Sequence, residues 1–183
     1  MRVIGTSGFP SDSITIARNT IGGSGSSYGS SDTVRYRGIM ASWVTNLSIT
    51  DNAILNISPA TSSGAAIFVD NSSGATIARN VIDGVLGYSS SGYNVYGIGL
   101  STGVVNTTVL GNRINRIFYT AGGNWWAYGI DVTTSGGNAN VLLANNMISN
   151  VAHDYGMSTT YSTYGIRITS TGNVKVYHNS VFL

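Results

Sequence analysis

Ile14-Thr15-Ile16-Ala17-Arg18-Asn19-Thr20-Ile21 is an alternating apolar run that breaks at an asparagine and resumes two residues later. The figure returns as Ile49-Thr50-Asp51-Asn52-Ala53-Ile54, Ile77-Ala78-Arg79-Asn80-Val81-Ile82 and Val109-Leu110-Gly111-Asn112-Arg113-Ile114. It returns twice more, as Leu142-Leu143-Ala144-Asn145-Asn146-Met147-Ile148 and Val174-Lys175-Val176-Tyr177-His178-Asn179-Ser180-Val181. The aligned asparagines are Asn19, Asn52, Asn80, Asn112, Asn146 and Asn179, separated by 33, 28, 32, 34 and 33 residues. A near-constant period with this much β character is the mark of a solenoid. A helix would need apolar residues spaced by three and four, and that pattern is absent.

Two further elements complete the repeat. Upstream lies a Gly-Ile-x-apolar figure: Gly38-Ile39-Met40-Ala41, Ala66-Ile67-Phe68-Val69, Gly97-Ile98-Gly99-Leu100, Gly129-Ile130-Asp131-Val132 and Gly165-Ile166-Arg167-Ile168. Downstream come Asn56-Ile57, Gly84-Val85, Arg116-Ile117 and Asn150-Val151, where Asn and Gly suit a left-handed turn residue. One coil therefore carries three short strands: Gly-Ile-x-Val, a Ser/Thr/Gly/Asn turn, Ile-x-Ile, a corner at the recurrent asparagine, then x-Ile. Alternate side chains point inward, so Ile, Val and Leu stack in columns along the axis. Stacked asparagines at one corner are expected to form a ladder of amide hydrogen bonds. The fold class is all-β: a parallel β-helix of about six coils, a single domain over residues 1–183 with no evident cap.

Composition agrees and narrows the function classes. Charged residues are 9% of the chain, against roughly 25% in an average soluble protein. Ser, Thr, Asn and Gly must then supply the polar surface, which suits strands and turns. Nine Lys/Arg against seven Asp give a net charge of +2 and no basic patch, so nucleic acid is not an expected partner. No apolar run is long enough to cross a bilayer, and no membrane insertion is expected. Cysteine is absent.

These repeats resemble the right-handed parallel β-helix of the pectate-lyase-like superfamily and of large bacterial surface proteins. The resemblance covers nearly the whole chain and implies a fold more than a function. That superfamily holds polysaccharide lyases and hydrolases, phage tailspikes and adhesins. Its enzymes need paired carboxylates, or calcium-binding acids with a basic residue. No residue here matches such a set, so none is carried over; no catalytic residue, metal ligand or cofactor is expected.

The charged residues read as structural. Arg18, Asp51 and Arg79 hold one position in consecutive coils, and His178 continues that column toward solvent; this is an expected surface charge ladder. Asp131 and Arg167 share an outward position in neighbouring coils and read as an ion pair, with an atypical lyase or hydrolase site as the alternative. His153 and Asp154 read as loop decoration.

The loops point elsewhere. Long loops leave the same corner in four of five repeats, and among their aromatics are Tyr93, Tyr119, Trp125, Trp126, Tyr155 and Tyr161 amid Ser, Gly, Thr and Asn. Such aromatics suit adaptable binding surfaces and stacking on sugar rings, so these six are the candidate glycan contacts. Sequons at Asn46, Asn56, Asn71 and Asn106 are candidate glycosylation sites.

Val3 and Ile4 already read as a strand, and Val181, Phe182 and Leu183 as another. A bare coil edge invites pairing. The ends are therefore expected to meet flanking coils of a longer solenoid, or another copy head to tail. The leading expectation is a non-catalytic extracellular or cell-surface structural solenoid forming a fibre or array. A carbohydrate-binding adhesin and a polysaccharide-cleaving enzyme are the alternatives.

Overall fold

The computed structural model describes residues 1–23, 34–59, 63–88, 93–120, 125–135, 138–153, 163–170 and 172–183. The chain forms three six-stranded parallel sheets. Each turn adds one strand to each sheet, so there are six rungs, and the four inner ones are stacked on both sides. Sheet one holds Arg2–Ile4, Arg37–Ser42, Gly64–Asp70, Val95–Leu100, Ala127–Val132 and Tyr164–Ile168. Sheet two holds Thr15–Ala17, Ser48–Thr50, Thr76–Ala78, Thr107–Leu110, Val141–Ala144 and Val174–Tyr177. Sheet three holds Thr20–Ile21, Ala53–Ile57, Val81–Gly87, Arg113–Tyr119, Met147–His153 and Ser180–Phe182. A short ribbon pairs Ser11–Asp12 with Val44–Thr45.

The register follows the repeat. Ile49 lies beside Ile16 and Ile77, then Val109, Leu143 and Val176 extend the column. Sheet three runs Ile21, Ile54, Ile82, Ile114, Ile148 and Val181. Sheet one runs Val3, Ala41, Val69, Leu100, Val132 and Ile168. Among these, the side chains of the inner rungs are buried and form one continuous core. Burying an aliphatic side chain is worth roughly 1.5–3 kcal/mol, so these columns supply most of the stability.

Gly38, Ala66, Gly97, Gly129 and Gly165 form a column of small residues because the core narrows there. A Cβ on Gly97 would lie 2.5 Å from the Gly129 carbonyl oxygen and 2.6 Å from Ile114 Cγ2.

The corners rest on left-handed backbone. Gly22, Asn56, Gly84, Arg116 and Asn150 all have positive φ, as the Asn and Gly at this position anticipate. The other corner differs from the sequence reading, which puts the turn on the recurrent asparagine. The inversion lies one residue earlier: Arg18, Asp51, Arg79, Gly111, Asn145 and His178 have φ between 51° and 63°. The asparagine side chain is thereby turned into the body of the coil, where Asn52, Asn80, Asn112 and Asn146 are buried. Left-handed backbone costs a residue with a Cβ about 1–2 kcal/mol, so the ladder described next must offset it.

Candidate functional site

Each inner ladder asparagine ties its rung to both neighbours. The Asn80 backbone N–H and Nδ2 donate to Asn112 Oδ1 at 3.0 and 2.9 Å. Asn112 makes the same two bonds to Asn146 Oδ1, at 3.0 and 2.9 Å. Its other Nδ2 proton goes back to the Ile77 carbonyl at 2.9 Å. The pattern runs unbroken from Asn19 through Asn52 to Asn179. It is a structural device, and it has a direction: donors face the later rung and Oδ1 faces the earlier one.

The charged column is a pair more than a ladder. Arg79 holds Asp51 with two bonds of 2.8 Å, which keeps the Asp51 carboxyl below its usual range. Arg18 contributes only its charge to Asp51 among the described residues, and His178 is exposed. A second pair lies on sheet three, where Arg116 grips Asp83 at 2.6 and 2.9 Å and lowers its pKa.

The densest polar cluster sits on the outer face of sheet one. Tyr96, Tyr128 and Tyr164 stack in register, with ring centroids 5.2 and 5.6 Å apart. The Arg167 guanidinium lies 4.1 Å over the Tyr128 ring and grips Asp131 through bonds of 2.6 and 2.8 Å. Asp131 is 3% exposed, and burial pushes its carboxyl up in spite of Arg167. The Tyr128 hydroxyl is buried with no hydrogen-bond partner among the described residues, and burial raises its pKa. One rung further, Tyr96 meets Phe68 edge-on, and the Arg37 guanidinium lies 3.7 Å over Phe68 and 4.5 Å over Tyr36. Both Asp131 oxygens are engaged by Arg167, and no second acid joins them among the described residues. The arrangement positions cations over rings and cross-links rungs. The sequence shows the Tyr column and the Asp131–Arg167 pair; it does not show Arg37 entering the same strip, since that follows from the Phe68 ring lying over Gly99.

The candidate glycan contacts separate. Tyr93 stacks on Trp125 with centroids 6.0 Å apart, and Trp126 meets Trp125 edge-on at 6.3 Å. Trp125 also packs on the core, and the Trp126 backbone N–H donates to Asn94 Oδ1. These three form one aromatic corner. Tyr119 does not belong to it. The strand Arg113–Tyr119 runs through the left-handed Arg116, which buries Tyr119 against His153 instead of leaving it in a loop. His153 likewise ends a strand. Tyr155, Tyr161 and Asp154 lie outside the described residues.

Among the sequons, Asn46 and Asn106 are exposed and Asn71 is partly so. Asn56 is buried at a corner, where Nδ2 donates to the Gly23 carbonyl at 2.7 Å. The folded chain therefore withholds Asn56 from glycosylation. Of the end residues, Val3 is half-buried, while Ile4, Val181, Phe182 and Leu183 are exposed.

A groove of about 400 Å³ crosses the outer face of sheet three, which the sequence does not reveal. Val81, Arg113 and Met147 form one wall, and Asp83, Asn115 and Ser149 the other. The second wall is closed on itself by bonds from Asn115 to Asp83 and from Ser149 to Asn115. The exposed apolar Val81 and Met147, one residue after their asparagines, are the only trace of it in the sequence. No group of three or more His and Asp residues able to hold a metal occurs among the described residues.

Three parallel sheets wound as stacked rungs define a parallel β-solenoid. Residues 4–181 match the family described as right-handed β-helix region, and the chain belongs to that family. No curated protein and no solved structure matches it.

Proposed function

We propose that this chain is a non-catalytic structural solenoid, extracellular or on a cell surface, that assembles head to tail into a fibre or array. One observation carries the reading. Every rung repeats one register, with the same three apolar columns and the same Asn ladder from Asn19 to Asn179, so each rung offers the next the same stacking surface. Joining unlike ends repeats without closing and yields a filament. The low charge of the chain and its unbroken Asn ladder suit a durable fibre. The engaged state of Asp131 supports a role without catalysis. Negative-stain electron microscopy of the purified chain tests the reading. Filaments with an axial repeat of about 29 Å, six rungs at ~4.8 Å each, are expected. Monodisperse monomer at high concentration overturns it.

A second reading is favoured by the Tyr93–Trp125–Trp126 corner, whose aromatic faces suit sugar rings in an adhesin. Glycan-array binding that disappears in Trp125→Ala and Trp126→Ala supports it; no binding to any glycan removes it.

A further inference from the structure

The groove on sheet three lies wholly on inner rungs, and its two walls differ in kind. One wall is the column Val81, Arg113 and Met147, neighbours in consecutive rungs. Val81 is 43% exposed and Met147 56%. The aliphatic stem of Arg113 bridges them, so this wall is apolar with one cation at its middle. Ala53 precedes Val81 in the column and Ser180 follows Met147, so the apolar wall is confined to three rungs. Arg113 is exposed, and its guanidinium has no ion pair or hydrogen bond among the described residues. Arg79, Arg116 and Arg167 instead each grip an aspartate with two bonds. The acid across the groove, Asp83, is already taken: Arg116 holds both its oxygens, and Asn115 donates to one of them at 2.9 Å.

The facing wall is polar and has a donor to spare. Asn115 gives one Nδ2 proton to Asp83, and its Oδ1 accepts from Ser149 and Asn150. Its second Nδ2 proton has no acceptor among the described residues. The floor at Ile82 and Ile114 offers no free backbone group, because both strands are paired on each side. A free cation, a free donor and two exposed apolar side chains therefore converge on one cavity of about 400 Å³, a size that suits a small ligand.

We propose that this groove binds a small monocarboxylate with a compact apolar body. The guanidinium fork of Arg113 takes the carboxylate in two parallel bonds. The spare Asn115 proton reaches it from the opposite wall. The body lies one rung on, against Met147, whose flexible thioether adapts to its shape and favours an aromatic ring. The charge of the ligand follows from the walls. One free cation matches one negative charge, and a dianion would bring surplus charge up to Asp83, which Arg116 already balances. The site is independent of the fibre reading and adds a ligand to it.

Met147 reports occupancy whether the chain is single or assembled. Its exposed thioether is open to peroxide, and the bound body covers it. Half-buried Met40, on sheet one, is the internal reference. Peroxide oxidation of the purified chain, followed at each methionine by mass spectrometry, should slow several-fold at Met147 in hydrocinnamate and stay unchanged at Met40. Hydrocinnamyl alcohol should need about tenfold more for the same protection, and the corresponding amine should give none. Arg113→Gln should raise the hydrocinnamate requirement about tenfold, to that of the alcohol, and Arg113→Lys, which keeps the charge and loses the fork, should fall between. No protection by hydrocinnamate, equal protection by the amine, equal protection of Met40, or protection that survives Arg113→Gln at the parent's concentration overturns the assignment. None of these outcomes bears on filaments seen by electron microscopy, so the two readings fail separately.

Discussion

Replacing Asn112 by alanine removes five hydrogen bonds from the centre of the ladder. Three are donated by its Nδ2, to Ile77, to Asn146 and, at 3.4 Å, to Leu110. Two are accepted by its Oδ1, from the Asn80 backbone N–H and Nδ2. Asn146 Oδ1 keeps a bond from the Asn112 backbone. The two Asn80 donors are left buried with no acceptor, and each such orphan costs about 1–3 kcal/mol. The sum is about 4 kcal/mol, a fall of roughly 10 °C in Tm for a chain of this size. Asn19→Ala is the control. It removes only Nδ2 bonds to Ala17 and to Asn52 Oδ1, which retains the Asn19 backbone donor, so the cost is about 1 kcal/mol. Asn112→Asp sharpens the test: it keeps the size and the Oδ1 acceptor but aims a second oxygen at the Ile77 and Asn146 oxygens. It should be at least as damaging as alanine at neutral pH. Thermal melts followed by circular dichroism, at one protein concentration for all variants, measure the differences. An Asn112→Ala loss no larger than that of Asn19→Ala, or a stable Asn112→Asp, refutes the reasoning.

Three other outcomes follow from the same geometry. Burial raises the Asp131 carboxyl, so the folded chain holds that proton more tightly than the unfolded chain, and this contribution to stability falls as pH rises above the usual carboxylate range. Arg116 lowers the Asp83 carboxyl, so that contribution is present above the usual range and is lost as pH falls. Denaturant melts from about pH 3 to pH 7 should therefore show opposite slopes when wild type is compared with Asp131→Asn and with Asp83→Asn; matching slopes contradict the assignment. Tyr128→Phe removes a buried hydroxyl without a partner, and Tm should hold or rise, by up to about 1–2 kcal/mol in stability; a clear loss would mean that the hydroxyl is bonded. Gly97→Ala forces a Cβ onto the Gly129 carbonyl and Ile114, and should cost about 1–3 kcal/mol in the same melts, with an unchanged Tm counting against the narrow core.

The stacking direction, the three sheets and the inward columns were legible because each depends on alternation and period alone. The Gly and Asn at Gly84 and Asn150 also announce their backbone, since those residue types tolerate positive φ. Arg18 and Arg79 adopt the same conformation and announce nothing, because their type disfavours it, while Asp51 and His178 tolerate it without requiring it. They are held there by the next residue: turning the asparagine inward is what the left-handed step achieves, and the amide ladder rewards it. Gly111 and Asn145 carry the strongest local signal in that column. The error at Tyr119 has the same root. A strand that continues through the left-handed Arg116 looks, in sequence, like a strand ended by a turn, and its last aromatics then look like loop residues. A turn asparagine and a glycosylation acceptor have the same local sequence, so the burial of Asn56 and its bond to the Gly23 carbonyl are not legible there.

The same logic bears on what the molecule can join. Inside the chain, a ladder asparagine is satisfied only when a rung follows it and another precedes it. The apolar columns ask merely for cover, which a lipid, a sugar face or any apolar surface could give. The ladder asks for one acceptor and one donor at fixed height and direction, and a rung of this kind of solenoid supplies both. Within the chain the columns therefore supply the burial, and the inward asparagine fixes the register of neighbouring rungs.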